Sequence, residues 1–220
     1  PGGCAIGTRP IDLHLNALSK LGANFKIENG FVNAEVKNQL IGNSINLTFP
    51  SVGATENIIM ASVFAKGKTQ INNAAKEPEV IDLVNCLNSM GARITGAGTS
   101  CIKILGISKL VKAKHEIISD RIVAGTFIIA AVMLNKRFEI KNINTNFLIA
   151  LFKVLKKMGA NLKINTKSVL VLPSAKLKGT NIETAPYPGF PTDLQAQLMA
   201  LMSLVNGNSK IKETIFENRF

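Results

Sequence analysis

The 220-residue sequence has no tryptophan, one tyrosine and only three cysteines, Cys4, Cys86 and Cys101, which lie far apart. So few aromatic faces argue against a stacking platform for single-stranded nucleic acid. An odd, scattered set of cysteines excludes a disulfide framework, shows no zinc spacing and fits a reducing, cytoplasmic setting. Long apolar runs are missing as well. The longest, Phe127 to Leu134, falls well short of the roughly 18–20 residues of a membrane span, so neither membrane insertion nor a signal peptide is expected. The two histidines, His14 and His115, have no companion at metal-ligand or nucleophile–base spacing, which leaves them packing or surface roles and gives no metal site. Glycine is plentiful, yet no phosphate-loop or dinucleotide fingerprint occurs and no cofactor is expected.

Acidic residues are also scarce, 14 against 26 basic ones, for a net charge of +12. Such a charge can mark a nucleic-acid partner. Here the lysines are scattered, and the joint abundance of Lys, Asn and Ile has the look of codon bias, so a solvated basic surface is the preferred reading. A hydrophobic content of 46% supplies one large core or two modest ones, and a charged fraction of 18% is too low for a disordered chain. The sequence opens at Pro1 without Met and closes on Phe220 after a polar run, and it reads as a piece of a longer protein. Nothing in it specifies an oligomeric state.

Three segments share one pattern: ALSKLGANFKIENGFVNAEV from Ala17, CLNSMGARITGAGTSCIKIL from Cys86 and VLKKMGANLKINTKSVLVLP from Val154. Their Gly-Ala pairs start at Gly22, Gly91 and Gly159, 69 and then 68 residues apart, so one supersecondary unit is copied in tandem. Each copy reads as a helix ended by its glycine, then a strand, a turn and a second strand. A second shared element begins at Ser51, Asp120 and Pro191: an apolar helix leading into a strand. These helices look too uniformly apolar for a surface. The α/β unit is therefore βαβαββ or a rotation of it, with one buried and one amphipathic helix. Cys86, among Leu83, Leu87 and Met90 at helical spacing, is expected to be buried and inert, and Cys101 to be structural in a strand.

The starts of the apolar helices carry cap residues: Ser51, Asp120, and Thr192 with Gln195 as a capping box. Helix starts also offer unpaired N–H groups and a positive dipole end to phosphates. Caps without ligands are the commoner case, and repeat logic alone favours that reading.

PGGCAIGTRPIDLHL at the start, SVGATEN from Ser51, AAKEPEV from Ala74, SDRI from Ser119, FPTDLQAQ from Phe190 and ETIFENRF at the end resemble, in order, motifs of the UDP-N-acetylglucosamine enolpyruvyl transferase family. The resemblance covers essentially the whole chain. It implies the enolpyruvyl transferase fold, two inside-out α/β barrel-like domains of three βαβαββ units each, of which about half fall here. It also implies a domain division at 1–118 and 119–220, with the active site in the cleft between. The implied reaction transfers the enolpyruvyl group of phosphoenolpyruvate to the 3-hydroxyl of UDP-N-acetylglucosamine, the committed step of peptidoglycan synthesis in the cytoplasm. The sugar hydroxyl adds to C2 of phosphoenolpyruvate while C3 takes a proton, and the tetrahedral adduct then loses phosphate. That chemistry demands an acid near C3, a base near the hydroxyl and cations for the carboxylate and phosphates.

By the same resemblance Cys4 is the reactive cysteine of a glycine-rich lid, with Gly2 and Gly3 giving it backbone freedom. A thiol near neutrality can donate a proton, and neighbouring cations favour the thiolate, which would react with an epoxide phosphonate such as fosfomycin. Arg9 matches a substrate-contacting arginine, and the run Arg9, Pro10, Ile11, Asp12, Leu13 resembles the uridine-binding segment. Ser51, Val52 and Gly53 resemble the segment that meets the nucleotide's phosphates. Asp193 matches the general base; a carboxylate is a weak base, so it would act in concert with C–O bond formation. Its structural alternative is a first-turn acid on the helix dipole. Ile215 matches a substrate-binding position, and Glu77, Asp120, Arg121, Thr192 and Arg219 match cleft residues. Two positions depart from the family: Phe49 stands where some members carry a lysine, and Val123 replaces an acid and leaves Asp120 without a capping-box partner.

The resemblance also implies a Lys-Asn pair upstream of Pro1 and further arginines beyond Phe220, so residues 1–220 alone are expected to be inactive. The rivals are the shikimate-pathway enolpyruvyl transferase, which lacks the cysteine lid and uridine segment found here, and a non-catalytic paralogue of the same fold. A basic nucleic-acid-binding module comes third.

Overall fold

The computed structural model describes residues 10–216 and 219, together with the backbone of residues 3–4 and 7–8. It divides into two compact units, Pro1–Ile117 and Ile118–Phe220.

The first unit opens with short antiparallel strands β1 (Gly3–Cys4) and β2 (Gly7–Thr8), in which Cys4 pairs with Gly7. Helix α1 (Asp12–Lys20) follows, then the hairpin of β3 (Asn24–Glu28) and β4 (Phe31–Glu35). A complete βαβαββ unit comes next: β5 (Ser44–Asn46), α2 (Val52–Ser62), β6 (Lys68–Asn72), α3 (Pro78–Ser89), β7 (Arg93–Thr95) and β8 (Cys101–Leu105). The sheet order is β5-β6-β8-β7, with β5 parallel to β6 and the other pairs antiparallel. Ile58 and Ile59 of α2 pack with Ile71, Ile102 and Ile104 of the sheet, and all five are buried. Burial of apolar surface stabilises by about 25 cal/mol per Å², and these isoleucines form the centre of the unit's core.

The second unit repeats the order with α4 (Arg121–Met133), β9 (Phe138–Lys141), α5 (Ile149–Met158), β10 (Asn161–Ile164) and β11 (Ser168–Leu172). It then begins another copy with β12 (Asn181–Glu183), α6 (Gln195–Met202) and β13 (Lys210–Lys212). Strands β10, β11 and β9 form an antiparallel sheet, and β12 pairs in parallel with β13. Leu151, Leu155 and Met158 of α5 close on Ile128 and Ile129 of α4 and on Leu194 and Leu198.

The tandem copy expected from the glycine spacing is therefore present. The three helix-ending glycines share one left-handed conformation, with φ of +103°, +97° and +96° at Gly22, Gly91 and Gly159. A side chain at such a position is strained, which explains why the same residue recurs at one phase of the repeat.

Three local expectations are corrected. Thr192 and Gln195 do not form a capping box: the Thr192 hydroxyl donates to Glu213 Oε2 at 2.9 Å, and Gln195 is buried against Met199. The chain enters α6 through a 3₁₀ turn, Thr192–Leu194, after Pro191, so Gln195 is the first residue of α6 and not the third residue of a helix capped by Thr192, and the Thr192 hydroxyl proton goes to a charged acceptor. Cys86 is half-buried rather than buried, because Val84 and Leu87 take the core-facing positions of α3. The apolar helices are not buried all round. Helix α4 hides Ala124, Ile128, Ile129 and Val132 but leaves Val123 and Phe127 more than half exposed.

Candidate active site

The candidate site residues of the first unit from Pro10 onward sit at or near the start of a helix. Asp12 is the first residue of α1 and is exposed, with Pro10 and Ile11 leading in and Leu13 packed partly against the core. An acid in the first turn complements the helix dipole whatever else it does. Arg9 and the side chain of Cys4 lie outside the described residues.

Ser51 is the N-cap of α2, and its Oγ accepts from the Ala54 amide at 3.3 Å. The carbonyl of Ser51 is held in turn by the Thr55 hydroxyl at 2.7 Å, and the same hydroxyl accepts from the Ala75 amide. Val52 and Gly53 are the first two residues of the helix, where amide N–H groups have no partner within a helix. Their donors therefore point out of a turn that is fixed from behind. His14 lies over this turn: a Cβ added to Gly53 would meet His14 Cε1 at 3.3 Å. Asn57 Nδ2 bonds His14 Nδ1 at 2.8 Å, so α1 and α2 are joined next to the Ser51 segment. Of the packing or surface roles expected of His14, the structure gives it packing against α2. Phe49 is at the surface of the same region, 37% exposed.

Glu77 caps the entry to α3 by backbone alone and is buried. It shares its surroundings with Glu56 of α2 and Glu79. Burial first, and then the charges of Glu79 and Glu77, push the Glu56 carboxyl above its ordinary pKa. Neither Glu56 nor Glu79 stands out in the sequence, because the grouping depends on α2 packing against α3.

In the second unit Asp120 is the N-cap of α4 and accepts from the amides of Ile122 and Val123 at 2.8 and 2.9 Å. One carboxylate oxygen is thereby committed to the cap. The neighbouring Arg121 guanidinium lies 5.6 Å from the centroid of the Tyr187 ring, a cation–π distance. Both residues line a cavity of about 530 Å³ whose walls include Phe147, Ile149 and Phe190.

Asp193 stands in the turn before α6 with its side chain 61% exposed, 3.7 Å from Arg219 Nη1. The arginine side chain is only 14% exposed and also stacks over Phe216 at 5.8 Å. Asp193 thus has a charged neighbour and open access together. Behind it, the Glu213 carboxylate gathers four donors: Thr184 Oγ1, Ile215 N and Phe216 N on Oε1, and Thr192 Oγ1 on Oε2. Burial pushes the Glu213 pKa up, but the bonds from Ile215, Thr184, Thr192 and Phe216 outweigh it and hold the carboxyl below its ordinary value. Glu213 therefore ties the turn bearing Thr192 and Asp193 to the segment bearing Ile215. Sequence reasoning passed over it, although it is the first residue of the quoted motif ETIFENRF. Among the described residues no group of three or more His, Cys, Asp or Glu could hold a metal ion.

The family model for EPSP synthase (3-phosphoshikimate 1-carboxyvinyltransferase) matches residues 1–220. A UDP-N-acetylglucosamine 1-carboxyvinyltransferase of Finegoldia magna is 50% identical over 222 residues, covering 100% of this chain and 52% of that protein. A protein of Caldanaerobacter subterraneus subsp. tengcongensis with the same enzyme name is 51% identical over 220 residues and is covered to 53%. The chain thus spans about half the length of the curated relatives it matches. Among solved structures, the enolpyruvyl transferase NikO from Streptomyces tendae superposes with a TM-score of 0.87 at 24% identity, over 96% of this chain and 53% of that one. EPSP synthase from Acinetobacter baumannii gives 0.65 at 21% identity, over 96% and 50%. These structural likenesses carry the fold, an α/β architecture of tandem βαβαββ units.

Proposed function

From the membership of this chain in the EPSP synthase family of 1-carboxyvinyl transferases, we propose that it serves the transfer of the enolpyruvyl group of phosphoenolpyruvate to the 3-hydroxyl of UDP-N-acetylglucosamine, in the cytoplasm, for peptidoglycan synthesis. The observation that carries this choice of acceptor is the 50–51% identity, over the whole chain, to relatives named UDP-N-acetylglucosamine 1-carboxyvinyltransferase. Likeness to the shikimate-pathway enzyme is 21%.

In this reading the fixed turn at Ser51, Val52 and Gly53 receives the nucleotide's phosphates through backbone donors, while Arg9, Pro10, Ile11, Asp12 and Leu13 read the uridine. Exposed Asp193 takes the proton of the sugar hydroxyl as oxygen bonds to C2 of phosphoenolpyruvate. The Cys4 thiol delivers a proton to C3. The tetrahedral adduct then gives up a proton from C3 as it expels phosphate, which restores the C2–C3 double bond, and the charge that develops is met by arginines. Arg219, beside Asp193, supports one such contact, and Arg9 supplies another. A preorganised donor of this kind contributes about 3 kcal/mol to the transition state. Ile215 would pack on the substrate, with Glu77, Asp120, Arg121 and Thr192 around the cleft and Phe49 leaving one cationic contact unfilled. The 1–118 and 119–220 segments would belong to different domains of the transferase.

The test is phosphate release by the gene product with phosphoenolpyruvate and either UDP-N-acetylglucosamine or shikimate 3-phosphate. Release with the nucleotide sugar alone is the expected result. Release only with shikimate 3-phosphate would transfer the chain to the other branch of its family, and release with neither acceptor would favour a non-catalytic paralogue.

A further inference from the structure

The four-stranded sheet of the first unit has two unlike faces. Thr69, Ile71, Ile94, Ile102 and Ile104 are all buried on the side where the helices pack. Successive strand residues alternate, so Lys68, Gln70, Arg93, Thr95 and Lys103 share the outer face. Register fixes their places: Lys68, Leu105 and Arg93 form one row across β6, β8 and β7, and Gln70, Lys103 and Thr95 form the next. Lys103, on the middle strand, is therefore diagonal to both Lys68 and Arg93. Diagonal neighbours on one face are about 7–8 Å apart, within the reach of long side chains.

All three cations line a pocket of about 450 Å³ that also takes in Asn88 and Ala92. Among the described residues no acidic one lines it and none of the three cations has a carboxylate partner. Three like charges on neighbouring strand positions repel one another and weaken the sheet, a cost that needs a return. The second unit provides an internal comparison. Across its sheet the row equivalent to Gln70, Lys103 and Thr95 reads Glu139, Leu170 and Lys163, and Glu139 is paired with Lys141 at 3.3 Å. There the place of Lys103 is taken by the apolar Leu170, and the place of Arg93, opposite Leu105, is taken by Asn161, opposite Leu172. Two of the three cations are thus absent from the second unit, and the triad is not inherited with the repeat.

We propose that Lys68, Arg93 and Lys103 form a binding pocket for a small polyphosphate anion, such as the di- or triphosphate group of a phosphorylated metabolite. The site lies on the outer face of the sheet, on the layer opposite the start of α2. Its size falls in the range of small-ligand pockets, roughly 300–1,000 Å³. A single-stranded nucleic acid would need aromatic stacking faces and an extended basic groove, and among the described residues no aromatic one lines the pocket. Lysine supplies mobile point charges and arginine a planar fork, a combination suited to phosphate oxygens facing in several directions.

The experiment is calorimetric titration of the protein with inorganic tripolyphosphate at two salt concentrations. It compares wild type, the triple variant Lys68→Gln/Arg93→Gln/Lys103→Gln, and a control that loses equal charge at exposed lysines of the second unit, Lys136→Gln/Lys157→Gln/Lys167→Gln. Circular dichroism verifies that all three fold. Saturable binding that weakens at least tenfold in the triple variant and less than twofold in the control is the expected outcome, with each single variant intermediate. Equal weakening in both sets would reduce the effect to net charge, and an unchanged triple variant would place the anion elsewhere. No saturable binding by wild type, or tighter triad-dependent binding of a single-stranded oligonucleotide, would also overturn the proposal.

Discussion

Replacing Glu213 removes the group on which the second unit's site segment is hung. Its carboxylate accepts from Ile215 N at 2.8 Å, Thr184 Oγ1 and Thr192 Oγ1 at 2.9 Å each, and Phe216 N at 3.3 Å. A hydrogen bond to a charged acceptor contributes about 1.5–3 kcal/mol. The group is partly open to solvent, and water can replace some of these bonds, so the sum is discounted by at least half. Glu213→Ala is then expected to destabilise the second unit by about 3 kcal/mol, and Glu213→Gln, which keeps one carbonyl acceptor but loses the charge, by about 1 kcal/mol.

The pH dependence gives this prediction its sign. The folded carboxyl is held below its ordinary value, so its contribution is complete above the ordinary glutamate pKa, about 4.3, and is lost as pH falls through the lower folded value. The glutamine variant has no such titration. Urea unfolding followed by the fluorescence of Tyr187, the chain's one tyrosine, reports on this unit. The gap between wild type and Glu213→Gln should be widest near neutrality and should close in acid. A gap that stays constant or widens on acidification would refute the view that Glu213 works as a charged acceptor.

Removing the cap of α2 with Ser51→Ala should cost about 1 kcal/mol, measured by thermal unfolding, and weaken nucleotide-sugar binding in the same variant. Glu56→Gln should raise the melting temperature at neutral pH and change little in acid, since a carboxyl whose folded pKa is raised contributes below its ordinary pKa and loses that contribution as pH rises through the folded value. In the active protein Asp193→Asn should lower phosphate release by orders of magnitude while calorimetry finds nucleotide-sugar binding largely kept, because the amide preserves shape and removes the base. An epoxide phosphonate should alkylate Cys4, and an adduct found by mass spectrometry on Cys86 or Cys101 would sink the assignment.

What could be read from the sequence was what local rules govern. The recurrence of Gly22, Gly91 and Gly159 gave away the repeat because each must hold a left-handed turn. Ser51 and Asp120 were legible as caps because a cap reaches only two or three residues along the chain. Thr192 was misread for the same reason: its partner, Glu213, is 21 residues away, and no local pattern announces it. The grouping of Glu56 with Glu77 and Glu79 likewise needs α2 and α3 to pack. A helix that is apolar on every side, such as α4, gives no periodic signal of which side will be covered. The exposed Val123 and Phe127 could therefore not be told from the buried Ile128 and Ile129.

The residues assigned to chemistry recur at helix starts: Asp12 on α1, the Ser51 segment on α2, Glu77 before α3, Asp120 and Arg121 on α4, and Asp193 in the turn before α6. A tandem repeat of helices brings this about without coordination among positions, since every copy delivers another set of unpaired amides and another positive dipole end. The copies then diverge in how much of that capacity they use internally. Asp120 turns its carboxylate onto two amides of its own helix, and Ser51 satisfies one. Asp193 makes no such bond to its turn and faces solvent beside a largely buried arginine. Among the described helix-start acids, Asp193 differs from Asp120 in keeping its carboxylate off its own helix, exposed and paired with Arg219, the arrangement on which its proposed role as proton acceptor rests. If Asp193→Asn left phosphate release near normal, Asp193 would revert to a dipole-compensating residue like its counterparts, and the base would have to be sought among the other carboxylates.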